Sequence, residues 1–123
     1  MVSVPSFILR RLYVKGSLLS TDVGMEFQLL NRLGSGYARR LLPLTLDGHD
    51  IPLDCCEFHV DGSRVSFADI SRENPFTIAL NKLITVTAKG VTLTKEPHNI
   101  GMAFEVAGLG VLKFDFTDTP SDG

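Results

Sequence analysis

The 123-residue sequence contains no tryptophan, only two tyrosines and only two cysteines. Sugar-binding domains built on β-sandwiches usually stack sugar rings on exposed aromatic side chains, so this shortage counts against that class. The two cysteines, Cys55 and Cys56, are adjacent. Neighbouring cysteines rarely bond to each other because the ring is strained, and the sequence has no third cysteine to pair with. Two cysteines without a disulfide partner are typical of a protein in a reducing compartment.

The sequence also lacks a surplus of positive charge and a long apolar run. Its formal charge is −2, whereas nucleic-acid binding needs a clustered basic surface. The apolar run in residues 1–9 is followed by Arg10 and Arg11, which is not the charge order of a signal peptide. No stretch approaches the length of a membrane span. We therefore expect a cytoplasmic protein with no nucleic-acid or membrane partner.

Two Asp-Gly corners, Asp47-Gly48 and Asp61-Gly62, lie between apolar segments. Asp-Gly tolerates the positive φ that both central residues of a type I′ turn require, and such turns join antiparallel strands. Apolar and polar residues alternate with period two in residues 84–88, 98–106 and 112–116, as in half-buried strands. The sequence therefore predicts an all-β fold, an antiparallel β-sandwich of about eight strands, either jelly-roll or immunoglobulin-like.

The length predicts one domain, and we place it at residues 1–118 with a flexible C-terminal tail at 119–123. Alternation in residues 12–18, interrupted at Gly16, predicts the first strand. The glycine-punctuated segment 33–40 is interpreted as a connection. Residues 66–74 are polar and end at Asn74-Pro75, which predicts a helical turn or an irregular loop with Ser66 or Asp69 as a cap.

Candidate catalytic and metal-binding residues are isolated in the sequence. His59 follows Cys56 by three positions, but in one strand the two side chains point to opposite faces. Ser35 lies in Gly34-Ser35-Gly36, which lacks the sequence frame of a nucleophile elbow. The carboxylates at the outer positions of predicted strands are explained by solvation: Glu26, Glu105 and Asp115. We assign no catalytic residue, metal or cofactor to this chain.

One segment combines tyrosine and arginine with apolar neighbours. Tyr37, Arg39 and Arg40 follow Leu33 and precede Leu42. Tyrosine and arginine are enriched among the anchors of protein interfaces, because they combine contact area with polar groups. We predict that these three residues bind a partner protein, supported by Asn74 and Phe76.

The order of these features resembles a known family across residues 10 to 117. The features, in chain order, are Gly24-Met25-Glu26-Phe27, Gly36-Tyr37-Ala38-Arg39, the two Asp-Gly corners and His98-Asn99-Ile100. In this order of features, the sequence is similar to the small (beta) subunit of bacterial C-glycoside deglycosidases. That resemblance implies a β-sandwich bound to a larger TIM-barrel subunit, which carries a divalent metal and cleaves the C–C bond of 3-oxo-C-glycosides.

We therefore expect a non-catalytic accessory subunit of a metal-dependent, sugar-active enzyme. The alternative is a self-associating β-sandwich that binds a small ligand without an enzyme partner, since exposed strand edges favour symmetric dimers. Neither interpretation identifies the substrate, and the sequence leaves open whether Cys55 and Cys56 are redox-sensitive.

Overall fold

The computed structural model describes residues 4–121, which form two antiparallel β-sheets around one apolar core. A short helix, α1 (Ser6–Leu9), and three 3-10 turns at Arg10–Leu12, Leu53–Cys55 and Phe67–Asp69 accompany the strands. In chain order the strands are β1 (Leu19–Ser20), β2 (Gly24–Leu30), β3 (Gly36–Leu41), β4 (Leu44–Leu46), β5 (His49–Ile51), β6 (Cys56–Val60), β7 (Ser63–Ser66), β8 (Phe76–Ile78), β9 (Leu83–Lys89), β10 (His98–Val106) and β11 (Gly110–Asp118).

The first sheet has the order β1-β2-β9-β6-β7, and the second has the order β5-β4-β10-β3-β8. In the second sheet, β3 and β4 pair with different parts of the same side of β10, and β11 pairs with β10 along its length. The prediction of an all-β antiparallel sandwich is confirmed. The strands are more numerous than expected because several are only two or three residues long.

The core is formed by the inward faces of both sheets. Every second residue of β10 is buried, as the alternation predicts. Phe58 lies between Phe67 and Phe76, with ring centroids 4.5 and 4.2 Å away. The Phe76 ring is parallel to that of Phe58 within 9°, so this aromatic group joins β6 of one sheet to β8 of the other.

Both Asp-Gly corners are hairpin turns. Asp47 and Gly48 have φ of 51° and 85°, and Asp61 and Gly62 have 51° and 78°. Positive φ at both central residues is the condition for a type I′ turn, whose twist matches that of the flanking strands. The first corner joins β4 to β5, and the second joins β6 to β7.

The N-terminal part of the sequence prediction is wrong. Residues 12–18 do not form a strand: Leu12 ends the 3-10 turn Arg10–Leu12, and Tyr13 makes one isolated bridge with Leu29. Gly16 takes φ of 85°, which turns the chain away from an extended path. Among the described residues, no helix has both the length and the hydropathy needed to cross a membrane.

The segment predicted as a flexible tail is attached to the N-terminal segment at Ser121. The Ser121 N–H donates to the carbonyl of Leu18 at 2.8 Å, and its hydroxyl donates to the carbonyl of Gly16 at 2.6 Å. Asp118 accepts from the hydroxyl of Tyr13 at 2.7 Å. The two ends of the domain are thus joined, while positions 122 and 123 lie outside the described residues.

Candidate functional site

A β-bulge in β3 places two successive arginines on the outer face of the sheet. Ala38 is opposite Val106, and Arg40 is opposite Glu105, so Arg39 has no partner residue on β10. An extra residue of this kind shifts the alternation of side chains by one position. Ala38 and Leu41 therefore both face the core, while the two residues between them face outward. The sequence interpretation of 33–40 as a connection is wrong here, because the bulge breaks the period-two pattern.

The two arginines meet the carboxylate of Glu105 on the adjacent strand. Arg39 Nε lies 2.5 Å from Glu105 Oε2, and Arg40 Nε lies 3.6 Å from Oε1. Arg72 Nη2, from the loop before β8, lies 3.9 Å from Oε2. The Glu105 side chain is only 17% exposed. It is thus held in an ion-pair network, which corrects the expectation that solvation alone explains its outward position.

This network borders a groove of about 510 Å³, which we call the arginine groove. It is lined by Arg39, Arg40, Ile70, Ser71, Arg72, Glu73 and Glu105. The loop that forms its far wall is held by hydrogen bonds between its own residues: the Asn74 amide nitrogen donates to the Asp69 carbonyl at 2.9 Å, and the Asn74 N–H donates to Ser71 Oγ at 3.2 Å. Ser66 caps the turn before this loop by accepting from the Ala68 N–H at 3.3 Å.

The five residues predicted to bind a partner are not equally accessible. Tyr37 is 58% exposed on the outer side of β3, and Arg39 and Arg40 line the arginine groove. Asn74 is exposed but holds the loop that carries Arg72. Phe76 is a core residue, only 5% exposed and stacked on Phe58. A surface formed by these residues therefore excludes the Phe76 side chain.

A second polar cluster, at the start of β10, was not found from the sequence. His98 is 8% exposed, and its Nδ1 lies 2.7 Å from Asp47 Oδ2. Its Nε2 lies 3.1 Å from both the hydroxyl and the carbonyl oxygen of Thr94. Asp47 Oδ1 also accepts from the N–H of Asn99 at 2.9 Å. Because acceptors face both ring nitrogens, the doubly protonated imidazolium fits this cluster, and its role is to join the β4–β5 turn to β10.

The His98–Asp47 pair shifts the pKa of both groups. The hydrogen bond that His98 donates to Asp47 raises the pKa of His98 above its usual value and lowers the pKa of Asp47. A raised histidine pKa stabilises the fold below the unfolded value of about 6.5, and this contribution is lost as the pH rises through the folded pKa. A lowered aspartate pKa stabilises the fold above the unfolded value of about 3.9, and this contribution is lost as the pH falls through the folded pKa. The pair thus contributes most between these two values.

The other candidate reactive groups have structural roles. Ser35 Oγ accepts from the N–H of Leu80 at 2.9 Å and fixes the loop before β3. His59 Nε2 lies 3.3 Å from Thr87 Oγ1 and 3.4 Å from Glu57 Oε1 on the outside of the first sheet, whereas Cys56 is buried. Across residues 4–121, no three His, Cys, Asp or Glu side chains are grouped as metal ligands.

The two cysteines are free. Burial raises the pKa of the Cys56 thiol to about 12, and the thiol hydrogen faces the Pro52 carbonyl with sulfur and oxygen 3.6 Å apart. Since the thiolate is the reactive form, Cys56 is a packed, inert thiol. Cys55 is partly exposed.

The fold and the site define an all-β domain whose most distinctive surface is a groove of arginines beside an exposed tyrosine. The sequence matches the family Hydroxymethylglutaryl-CoA reductase, N-terminal domain, over residues 8–121. The match covers nearly the whole chain, so the chain belongs to this family. No curated protein matches the sequence.

This membership overturns the resemblance to the C-glycoside deglycosidase small subunit, and with it the assignment to carbohydrate metabolism. The features behind the resemblance are two hairpin turns and the first residues of β2, β3 and β10, and turns and strands of this kind occur in antiparallel sandwiches generally. The accessory-subunit role in that enzyme is therefore wrong, and the alternative of a self-contained ligand-binding sandwich finds no support either. The expectation of a TIM-barrel partner with a divalent metal was implied by that resemblance alone.

Proposed function

We propose that this chain is a non-catalytic domain that docks on the catalytic part of a hydroxymethylglutaryl-CoA reductase. The family to which it belongs is described as the N-terminal domain of that reductase, which supports a place beside a catalytic part. A cytoplasmic location stays a prediction.

The observation that carries this proposal is the outer face of β3. Tyr37 is more than half exposed, and its hydroxyl makes no hydrogen bond with any residue from 4 to 121. Next to it along the strand, the bulge presents Arg39 and Arg40 on the same face. An exposed tyrosine beside two arginines is the composition of an interface centre, since both residue types are frequent among binding hot spots.

The histidine cluster of the domain has a structural geometry and not a catalytic one. The arrangement that most resembles a catalytic triad is Asp47, His98 and Thr94, but the carbonyl of Thr94 faces the nitrogen that would have to act as the base. A general base needs a free lone pair toward its nucleophile. The cluster instead holds the turn between β4 and β5 against β10.

The test is direct binding of the purified chain to the catalytic part of hydroxymethylglutaryl-CoA reductase from the same organism, measured by calorimetry. We expect a complex that Tyr37→Ala weakens by about 30-fold or more, the effect of a hot-spot tyrosine. Val23→Ala, which changes an exposed apolar residue in the turn between β1 and β2 of the other sheet, is the control and should change the Kd less than about twofold. Absence of a complex, or equal affinities for the two variants, would refute docking through β3.

A further inference from the structure

The arginine groove carries an unbalanced charge. Arg39, Arg40 and Arg72 contribute three positive charges, and Glu73 and Glu105 contribute two negative ones. One positive charge therefore has no counterpart among the groove residues. Partly enclosed charges are screened less than those on an open surface, so the groove attracts an anion.

The guanidinium groups of this groove still have donors to offer. Glu105 Oε2 faces the Nε of Arg39, and Glu105 Oε1 faces the Nε of Arg40. Within residues 4–121, the terminal nitrogens of these two arginines make no hydrogen bond. The side chains of Arg40 and Arg72 are 58% and 71% exposed. Pairs of guanidinium N–H groups match the two oxygens of a carboxylate or phosphate.

Glu105 has a second effect, which is to hold the arginines in place. Fixing long side chains on binding costs free energy, and side chains that are already ordered lose less. The bulge fixes where Arg39 and Arg40 leave the strand, and a hydrogen bond to Glu105 fixes the position of the Arg39 Nε, while Arg40 Nε lies 3.6 Å from the other carboxylate oxygen. Ser71 adds a further donor, because its oxygen already accepts from the Asn74 N–H and its hydroxyl hydrogen remains available.

We infer that the arginine groove receives one carboxylate, an Asp or Glu side chain of the protein on which the chain docks. This inference rests on the docking function proposed above and names the chemistry of the partner at that face. A carboxylate carries a single negative charge and neutralises the surplus, whereas a phosphate monoester at about −1.5 to −2 exceeds it and is repelled by Glu73 and Glu105. The groove residues thus favour a protein carboxylate over a phosphate.

The first test uses the complex with the catalytic part of the reductase. We expect Arg40→Ala and Arg72→Ala each to weaken binding about tenfold, and Arg40→Lys to recover only part of the loss, because lysine lacks the two-pronged donor geometry. Both alanine variants should also reduce the salt dependence of the Kd. Arg64→Ala, an exposed arginine on β7 of the other sheet, is the matched control and should change affinity less than about twofold.

The outcomes separate this inference from the proposed function. If Tyr37→Ala abolishes binding while both arginine variants bind like the wild type, docking stands and the carboxylate site is refuted. If all three variants bind like the wild type, docking at this face is refuted as well. A thermal melt of Arg72→Ala, which changes only an exposed loop side chain, shows that any loss is not due to unfolding.

A second test uses the chain alone and does not depend on the complex. A short oligoglutamate peptide, added at constant ionic strength, should shift the NMR resonances of the Nε–H groups of Arg39 and Arg40. An oligoglutamine peptide should leave them in place. Equal or stronger shifts with inorganic phosphate, or none with oligoglutamate, would overturn the inference.

Discussion

Tyr13→Phe removes one hydroxyl that joins the two ends of the domain. This hydroxyl donates to Asp118 Oδ2 at 2.7 Å and accepts from the N–H of Leu18 at 3.2 Å. The ring itself stacks on Phe116 with centroids 3.6 Å apart and planes within 9°. Phenylalanine keeps this stacking, so the substitution tests the hydroxyl alone.

The expected cost follows from the charge and burial of the pair. A hydrogen bond to a charged group contributes about 1.5–3 kcal/mol. Asp118 keeps its bonds from the N–H groups of Gly16 and Thr119, and the site is only partly buried, so we expect a loss of about 2 kcal/mol in the free energy of unfolding. For a domain of this size that lowers the Tm by about 6–10 °C.

The assay is chemical denaturation and thermal melting of Tyr13→Phe beside Tyr37→Phe, the only other tyrosine of the chain. Tyr37 is exposed and its hydroxyl makes no hydrogen bond within residues 4–121, so its variant should lose less than about 0.5 kcal/mol. Equal stability of the two variants would mean that the Tyr13 hydroxyl does not stabilise the domain. A double-mutant cycle with Asp118→Asn then isolates the pair.

The same hydroxyl gives a prediction at high pH. Burial and the hydrogen bond to Asp118 raise the pKa of Tyr13 to about 12, from 10.0. A raised pKa stabilises the fold below the unfolded value, so this contribution disappears as the pH rises from about 10 to about 12. In the Tyr37→Phe variant, tyrosinate absorbance reports Tyr13 alone and should titrate near the upper value. A midpoint near 10 in the folded protein would contradict this.

Two further predictions concern the sheet and the histidine cluster. Gly24→Ala should cost about 3 kcal/mol of unfolding free energy, because its Cβ would lie 1.9 Å from the backbone oxygen of Ala88. The control, Gly36→Ala, should cost less, because its Cβ meets only a valine methyl group at 3.2 Å. Equal urea midpoints for the two variants would contradict this prediction. Asp47→Asn keeps a residue suited to the turn but removes the charge beside His98. Urea unfolding should show its largest deficit between pH about 4 and 6.5 and a smaller one at higher pH, whereas a pH-independent deficit would argue against the ion pair.

Several features of the fold could be predicted because their causes are local. The two Asp-Gly corners specify their turns through the φ angles that these residues tolerate. The alternation in β10 and β11 identifies the buried face of each strand, and the structure confirms it at every position of β10. Tyr37, Arg39 and Arg40 could be singled out by residue type alone. Their association with Glu105 could not.

The class of fold, the hairpin turns and the core faces of the regular strands follow from the amino-acid sequence alone, because side-chain periodicity and turn chemistry act between residues close in the chain. The proposed docking surface, by contrast, depends on contacts between distant parts of the chain. The register of β3 against β10 brings Arg40 opposite Glu105, and the bulge turns Arg39 to the same side. The pairs His98–Asp47 and Tyr13–Asp118 likewise join residues 51 and 105 positions apart. Such contacts depend on which strands pair and in what register, and residues distant in the chain settle that only when the sheets assemble.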